Sequence, residues 1–572
     1  MPPARRVRAW LAAALAAAAL AVCGSAEPGV LPGAAPPPSS GFGARFATAA
    51  TGPHHLVFLP NFERVLARAS ALAQRTDAPE MVITPAAFFH GVINFGAPEL
   101  LANVSAKLLS GQCLRVVALG GSITCATAGG LANRSDHPQS VADAWPARFV
   151  AALNAAFPCG TAGHSVVNLC QGAVASDFWV ERVSEWRAAG AEAGPQAAPS
   201  PLAGADLFVV DTAHNDVMEL RGREHHLDDE ARIGKYNELL IHLLLRPQRA
   251  GNGTEATPAV MYIALSSRGG FDSRAAAEPS GGRGDGVWAH AAVTRHYGVP
   301  QVSVVDALGP FAPESAAAAW FADVYKADGW GHPNVVGHQL GAALLFQLLL
   351  AHLASLRLRV LPSLGAADAA LPPPSYALPD TLLYATDDEL RMYTEGSPLH
   401  VNALDGDPAR GLVRVVARTG FEPKTDVPGK PAGLIASAVG AFSTWLVPPA
   451  TLASRVGRLR GSLHVLSLKT YDHMGTLRVE MLRTAAPNCE ALNFSAPLSR
   501  EALGLETLAN ATIDCLRPPE QRVSEVEVNA LSFNISALAA AGGGCLLVNA
   551  SVVNSVPPRA DNKIKLMSFV LF

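Results

Sequence analysis

Five short apolar runs, separated by stretches patterned as helices, constrain this chain more than any other feature. They are Leu114–Leu119, Val166–Leu169, Leu207–Val210, Val260–Leu265 and Val302–Val305; the helical stretches between them include Ala144–Phe157 and Glu230–Leu245. A strand that is apolar at every position has no face to offer water, so it must be buried on both sides. Helices carrying the chain from one strand to the next make those strands parallel. The expectation for residues 53–360 is therefore an α/β fold, a three-layer α/β/α sandwich around a parallel sheet. Two Gly/Ala/Pro-rich inserts, 189–204 and 268–285, read as surface loops. The second carries Arg283-Gly284-Asp285, a tripeptide too short to mean more than loop.

Beyond residue 360 the pattern changes. Pro372-Pro373-Pro374-Ser375 marks a joint, assigned to residues 361–380, after which apolar residues recur with period two. The runs are Leu412–Val416, Ser462–Leu468, Thr476–Met481, Val523–Leu531, Cys545–Val553 and Lys563–Phe572, with turn residues such as Asp472-His473-Met474-Gly475 between them. Residues 381–572 are expected to form a separate C-terminal β-sandwich, jelly-roll-like in kind.

The amino terminus reads as an address. Arg5, Arg6 and Arg8 precede 14 uncharged residues, Ala9–Val22, and then Cys23-Gly24-Ser25-Ala26. This is the pattern of a secretory signal peptide over residues 1–26, cut after Ala26. The apolar run is shorter than the roughly 20 residues that span a bilayer, so membrane contact is expected only if the segment stays uncleaved. Residues 27–52, rich in Pro, Gly, Ala and Ser, read as a flexible spacer. Leu340–Leu356 is apolar but is interrupted by Gln347 and His352, which suits a core helix.

Seven Asn-x-Ser/Thr sequences, at Asn103, Asn133, Asn252, Asn493, Asn510, Asn534 and Asn549, are candidate glycosylation acceptors. With 19 asparagines in the chain, chance supplies about two, so a glycosylating secretory route and an extracellular or lumenal location are favoured. Without Cys23 seven cysteines remain, with no CxxC pair and partnering His to suggest zinc. Disulfides are expected instead, Cys159 with Cys170 and one among Cys489, Cys515 and Cys545, with odd parity leaving a free thiol or an intermolecular bridge. A net charge of −4, with no basic stretch past the first residues, excludes the electrostatic footprint of a nucleic-acid partner. No metal or cofactor is called for.

The first strand runs directly into Gly120-Gly121-Ser122-Ile123-Thr124. Two glycines permit a sharp turn at the carboxyl end of a strand, where open α/β sheets bind ligands, and place the Ser122 hydroxyl in that crevice. Three further blocks follow in order. They are Asn168-Leu169-Cys170-Gln171-Gly172, Val210-Asp211-Thr212-Ala213-His214-Asn215-Asp216, and Asp328-Gly329-Trp330-Gly331-His332-Pro333-Asn334 with Gly337-His338.

Together these four blocks resemble the SGNH (GDSL-type) hydrolase family over roughly residues 110–355, with Gly121 where that family most often has Asp and Ala213 where it has Gly. The resemblance implies a serine hydrolase that cleaves esters through an acyl-enzyme, without metal or cofactor. It implies Ser122 as nucleophile, His332 as base, and Asp328 as the acid that orients His332. The Ser122 and Gly172 backbone N–H groups and the Asn215 amide would receive the oxyanion. The family usually separates acid and base by two residues, whereas three lie between Asp328 and His332, a difference that the glycines around Trp330 can absorb; Asp323 is the alternative orienter. His214 and His338 are read as packing or supporting residues, and His225-His226 as a solvated helix start. The β-unit suggests a large substrate, which makes acylated extracellular polysaccharide the expected partner. Acyl transfer with the same residues, and a catalytically silent glycan-binding or surface protein, are the competing expectations.

Overall fold

The computed structural model describes residues 85–126, 141–192, 200–220, 226–249, 255–265, 286–308, 332–360 and, in shorter runs, 376–572. The amino-terminal address, the spacer at 27–52, Arg283-Gly284-Asp285, and Asn133, Asn252 and Asn493 lie outside the described residues.

One six-stranded sheet contains β1 (Val92–Asn94), β2 (Arg115–Gly120), β3 (Ser165–Asn168), β4 (Leu207–Asp211), β7 (Ala259–Ala264) and β8 (Gln301–Ser303), while β5 (Gln248–Arg249) and β6 (Glu255–Ala256) form a separate ribbon. The sheet order is β1-β8-β7-β4-β2-β3. Only β1 runs antiparallel to its neighbour; the other four pairings are parallel. Taken in chain order the parallel strands lie 2-1-3-4-5, a doubly wound arrangement whose direction of travel reverses between β2 and β4.

Ten α-helices and two short 3-10 helices (Pro98–Leu101 and Val141–Asp143) complete the described elements; the α-helices are α1 (Pro85–Gly91), α2 (Ala102–Leu109), α3 (Trp145–Ala156), α4 (Ser176–Glu192), α5 (Ala213–Leu220), α6 (His226–Leu244), α7 (Gly286–His296), α8 (Val304–Leu308), α9 (Val335–Val360) and α10 (Asp387–Thr394). The all-apolar strands explain their placement. Val117, Leu119, Phe208, Val210, Val260 and Tyr262 point into one core, shared with α4, α6 and α7. Val116, Ala118, Leu207, Val209, Met261 and Ile263 point into the other, shared with α2, α3 and α9. The apolar helix α9 satisfies the length and hydropathy of a membrane span, yet 72% of its most apolar window is buried inside the fold.

The carboxyl-terminal half consists of two antiparallel sheets. One has the order β10-β13-β18-β15-β16, from β10 (Arg414–Thr419), β13 (Phe442–Val447), β18 (Cys545–Val553), β15 (Thr476–Thr484) and β16 (Leu505–Asp514). The other has the order β11-β12-β19-β14-β17, from β11 (Glu422–Lys424), β12 (Gly433–Ala436), β19 (Ile564–Leu571), β14 (Ser462–Lys469) and β17 (Glu525–Ser532), with β9 (Leu399–Asn402) pairing to β19. Trp445 of β13 meets Phe569 of β19 edge to face at 5.0 Å, joining the sheets through one apolar core.

The two halves are tied together. Residues 376–394 strap onto the α/β unit, and the buried Glu238 carboxylate of α6 accepts the backbone N–H groups of Leu383, Tyr384 and Ala385 at 2.6–2.8 Å. Glu181 of α4, fully buried, lies 2.5 Å from His464 of β14 and accepts the Tyr393 hydroxyl at 2.8 Å. The carboxyl end of the expected joint at 361–380 thus takes part in packing, with the Tyr376 hydroxyl donating to the Tyr297 carbonyl.

Several sequence expectations need correction. Cys159 does not pair with Cys170: the two lie beyond opposite ends of β3, too far apart for a disulfide. The bridges are Cys113–Cys159 and Cys125–Cys170. Cys545 is also disulfide-bonded, and among the described residues the free thiol is the buried Cys515. Asn103, Asn510 and Asn534 are exposed, as acceptors must be, but Asn549 is not. Its side chain is buried on the central strand β18, accepting from Thr444 at 2.9 Å and donating to Glu480 at 3.3 Å, so folding withdraws it. The insert expected from 189 begins inside α4, and Val304-Val305 belongs to α8, because the Ser303 hydroxyl caps that helix by accepting the Asp306 N–H at 3.3 Å.

Candidate active site

Gly120 closes β2. A side chain there would stand 2.0 Å from the Thr124 hydroxyl, so only glycine lets residues 121–126 fold back over the strand end. The turn is closed by Cys125 N–H to the Gly121 carbonyl (3.2 Å) and Ala126 N–H to the Ile123 carbonyl (2.9 Å). Ser122 is therefore presented at the carboxyl end of β2, beside the strand β4 across which the sheet reverses. Its Oγ lies 2.8 Å from Nε2 of His332, within bonding reach across 210 residues of sequence.

His332 stands just ahead of α9, and two contacts fix that approach. Asn334 caps the helix, its Oδ1 accepting the N–H groups of Val336 (2.9 Å) and Gly337 (3.1 Å). One turn on, the buried His338 accepts the Trp145 N–H through Nδ1 at 3.2 Å, which joins the start of α9 to the start of α3. His214 lies near His332, their ring centroids 6.4 Å apart.

Gly121 marks where three segments converge. A Cβ at this position would stand 2.7 Å from Oδ1 of Asn215 and 3.5 Å from the Val174 carbonyl. The buried Asn215 amide of α5 and the loop holding Gly172 are thus packed against the residue that precedes Ser122. Gln171 donates its N–H to the Gly120 carbonyl at 2.9 Å, and the Cys125–Cys170 bridge links the serine turn covalently to the same loop. Ala173 has φ 64°, a left-handed conformation that costs a non-glycine residue about 1–2 kcal/mol and so must be held by its surroundings.

Beneath the site are two buried carboxyls. Asp211, at the end of β4, accepts the Thr124 hydroxyl at 2.8 Å, the Trp145 indole N–H at 3.2 Å and the Leu265 N–H at 3.4 Å. Burial pushes its carboxyl up to about 6, against the opposing pull of those donors. Asp216, next to Asn215, also suffers burial, but its bond to His290 at 2.6 Å, with the Ser176 N–H and hydroxyl, outweighs that and holds it below the usual carboxylate range. Both carboxyls anchor turns that carry site residues.

Of the residues singled out in the sequence, Ser122 and His332 are in contact, and Asn215 and the Gly172 loop lie against the serine turn. Asp328, expected to orient His332, and its alternative Asp323 lie outside the described residues. Sequence reading missed the supporting roles of Thr124, Asp211, Trp145 and His290. Asp211 was visible as the polar end of an apolar strand, and Thr124 as a polar residue closing the serine block. Nothing in the sequence pairs His290 with Asp216.

No protein-family model matches the sequence, and no curated protein does. Similar solved structures include a two-domain esterase active on acetylated mannans, 15% identical with a TM-score of 0.47, covering 84% of this chain and 97% of its own. Est24, a carbohydrate acetylesterase from Sinorhizobium meliloti, is 14% identical with a TM-score of 0.22, covering 43% of this chain and 99% of its own. A β-1,3-glucan-binding CBM6 from Bacillus halodurans is 11% identical with a TM-score of 0.16, covering 28% of this chain and 93% of its own. The chain's own sheets make it a mixed α/β protein, with a largely parallel sheet and separate antiparallel sheets, and the similar solved structures include carbohydrate esterases.

Proposed function

We propose that this chain is a secreted serine esterase of the SGNH type, a three-layer α/β/α sandwich joined to a jelly-roll-like β-sandwich, and that it removes O-acetyl groups from extracellular polysaccharide. The observation that carries the reading is the 2.8 Å approach of Ser122 Oγ to His332 Nε2 at the strand ends where the doubly wound sheet reverses. A hydroxyl is a poor nucleophile until a base takes its proton, and an imidazole at this distance can do so.

In this mechanism His332 accepts the Ser122 proton as Oγ bonds to the ester carbonyl carbon. The carbonyl oxygen then carries negative charge, received by the Ser122 and Gly172 N–H groups and the Asn215 amide. The protonated imidazole, oriented by Asp328, gives its proton to the departing alcohol oxygen. Water then repeats the cycle on the acyl-enzyme, restoring Ser122 and releasing the acid. The polysaccharide substrate is supported by the signal-peptide-like amino terminus and by the two-sheet β-unit that accompanies the α/β unit.

Ser122→Ala is expected to abolish hydrolysis of a small acetyl ester and labelling by a fluorophosphonate while leaving thermal unfolding unchanged. Undiminished hydrolysis by a folded variant overturns the assignment. Acetate release from acetylated polysaccharide but not from acylated lipid is the expected substrate pattern; the reverse removes the polysaccharide reading.

A further inference from the structure

Strand β17 is the last strand of its sheet: it pairs with β14 on one side only. An unpaired strand edge presents a row of N–H and C=O groups that must be covered. Here the cover comes from the α/β unit, at the loop beside the site. The Val526 N–H donates to the Ala173 carbonyl at 2.6 Å, and Val174 and Val526 form an isolated parallel bridge. Two residues on, the Val528 N–H donates to the Asp177 carboxylate at 3.3 Å. Val526 and Val528 have the alternation of a strand edge, so both bonds point away from the β14 ladder. Ala173, Val174 and Val526 are buried, which removes water as a competitor for these bonds.

Gly172 therefore sits between two pins. Upstream, the Gln171 N–H is bonded to the Gly120 carbonyl at 2.9 Å; downstream, the Ala173 carbonyl is bonded to Val526. Between them the backbone passes through the left-handed conformation of Ala173. A left-handed alanine relaxes unless its neighbours hold it, and relaxation there would swing the adjoining peptide groups. The upstream pin belongs to the α/β unit and the downstream pin to the other half of the molecule.

We propose that the carboxyl-terminal β-unit is a working part of the active site, in which the Val526 N–H acts as a positioning group that holds the Ala173 carbonyl and thereby orients the Gly172 N–H toward the oxyanion. This rests on the esterase reading above. The β-unit is then needed for turnover of every ester, including one too small to touch it.

The test uses the full chain and a small acetyl ester. Val526→Pro deletes the donor and no β14 ladder bond, because this N–H faces away from β14. It is expected to lower kcat by about tenfold or more, toward the roughly 100-fold cost of losing an oxyanion donor, with KM changed less than twofold and the pH profile unmoved. Val526→Ala trims the side chain but retains the N–H, and is expected to restore kcat. A folded Val526→Pro variant with wild-type kcat overturns the proposal, as does an equal loss in Val526→Ala. Hydrogen exchange on the wild-type protein gives a readout that does not depend on a variant folding. Phosphonylation of Ser122, which displaces fluoride and places a polar phosphoryl oxygen in the oxyanion position, is expected to slow exchange at Val526, and unchanged exchange overturns the proposal. Wild-type protein that neither hydrolyses esters nor reacts with the phosphonate refutes the esterase reading instead.

Discussion

The two disulfides of the α/β unit make a controlled pair. Cys113–Cys159 and Cys125–Cys170 have sequence separations of 46 and 45 residues, so they remove nearly the same chain entropy from the unfolded state. Loops of that length correspond to about 4 kcal/mol each. Replacing either pair with serines is expected to lower the melting temperature of the α/β unit by roughly 10 °C, read by calorimetry. Their effects on turnover should differ. Cys113 precedes β2 and Cys159 precedes β3, at the amino ends of two parallel neighbours and far from the serine turn. Cys125 and Cys170 lie at the carboxyl ends, three residues after Ser122 and two before Gly172. Without that second bridge the serine turn and the Gly172 loop keep only hydrogen bonds between them. The Cys125→Ser/Cys170→Ser variant is expected to lose about tenfold in kcat, part of the penalty for misplacing an oxyanion donor, while Cys113→Ser/Cys159→Ser keeps wild-type kcat. Equal kcat in the two variants, measured well below both melting temperatures, would refute the reasoning. So would a gap of more than about 2 kcal/mol between their stabilities, since the argument assigns both bridges the same entropic effect.

Two further outcomes follow from the packing beneath the serine turn. Gly121→Ala places a Cβ 2.7 Å from Asn215 Oδ1, so the amide must move; kcat should fall by about 100-fold with little change in melting temperature, and unchanged kcat would mean that the Asn215 amide takes no part. Asp211 has a folded-state value raised to about 6, above the roughly 4 of an unfolded aspartate. Because the folded chain then holds this proton more tightly, stability is expected to fall by about 3 kcal/mol in all as pH rises through this range, about 2 kcal/mol of it between about pH 4 and 6, and to level off above about pH 7. Asp211→Asn removes that slope, and denaturant unfolding at pH 4, 5 and 6 that gives parallel wild-type and variant curves would reject it.

Much of the α/β unit was legible because burial on both faces leaves a plain mark. β2, β4 and β7 are apolar runs with nothing to confuse them, and the 2.8 Å contact falls between residues named from the serine and histidine blocks. The end of helix α4 was read as loop because Ala188, Ala189 and Gly190 resemble one, although the helix, whose earlier turns bury Trp179 and Val183, runs on to Glu192. In the β half, Cys545–Val553 was read with its observed bounds, but the edge strand β16 was missed: its Asn, Thr and Ala residues are mostly half-exposed and lack a clear period. β13, buried along its whole length with the polar Ser443 and Thr444 side by side, was also missed, since a six-residue run without alternation shows no period two. The disulfide pairing depended on a relation between strands. Once β2 and β3 are known to be parallel neighbours, the cysteines before them must meet each other and those after them must do likewise. Proximity in sequence pointed the other way.

Asn549 shows what such a relation does to a three-residue signal. Its sequence is complete for sugar attachment while the chain is extended, and its amide is consumed as β18 settles between β13 and β15. Strand pairing and glycan transfer are therefore mutually exclusive events at this position, and whichever happens first forbids the other. A sugar found there would date its own addition to a moment before the ladder closed, and would mark a molecule whose central strand never took its place.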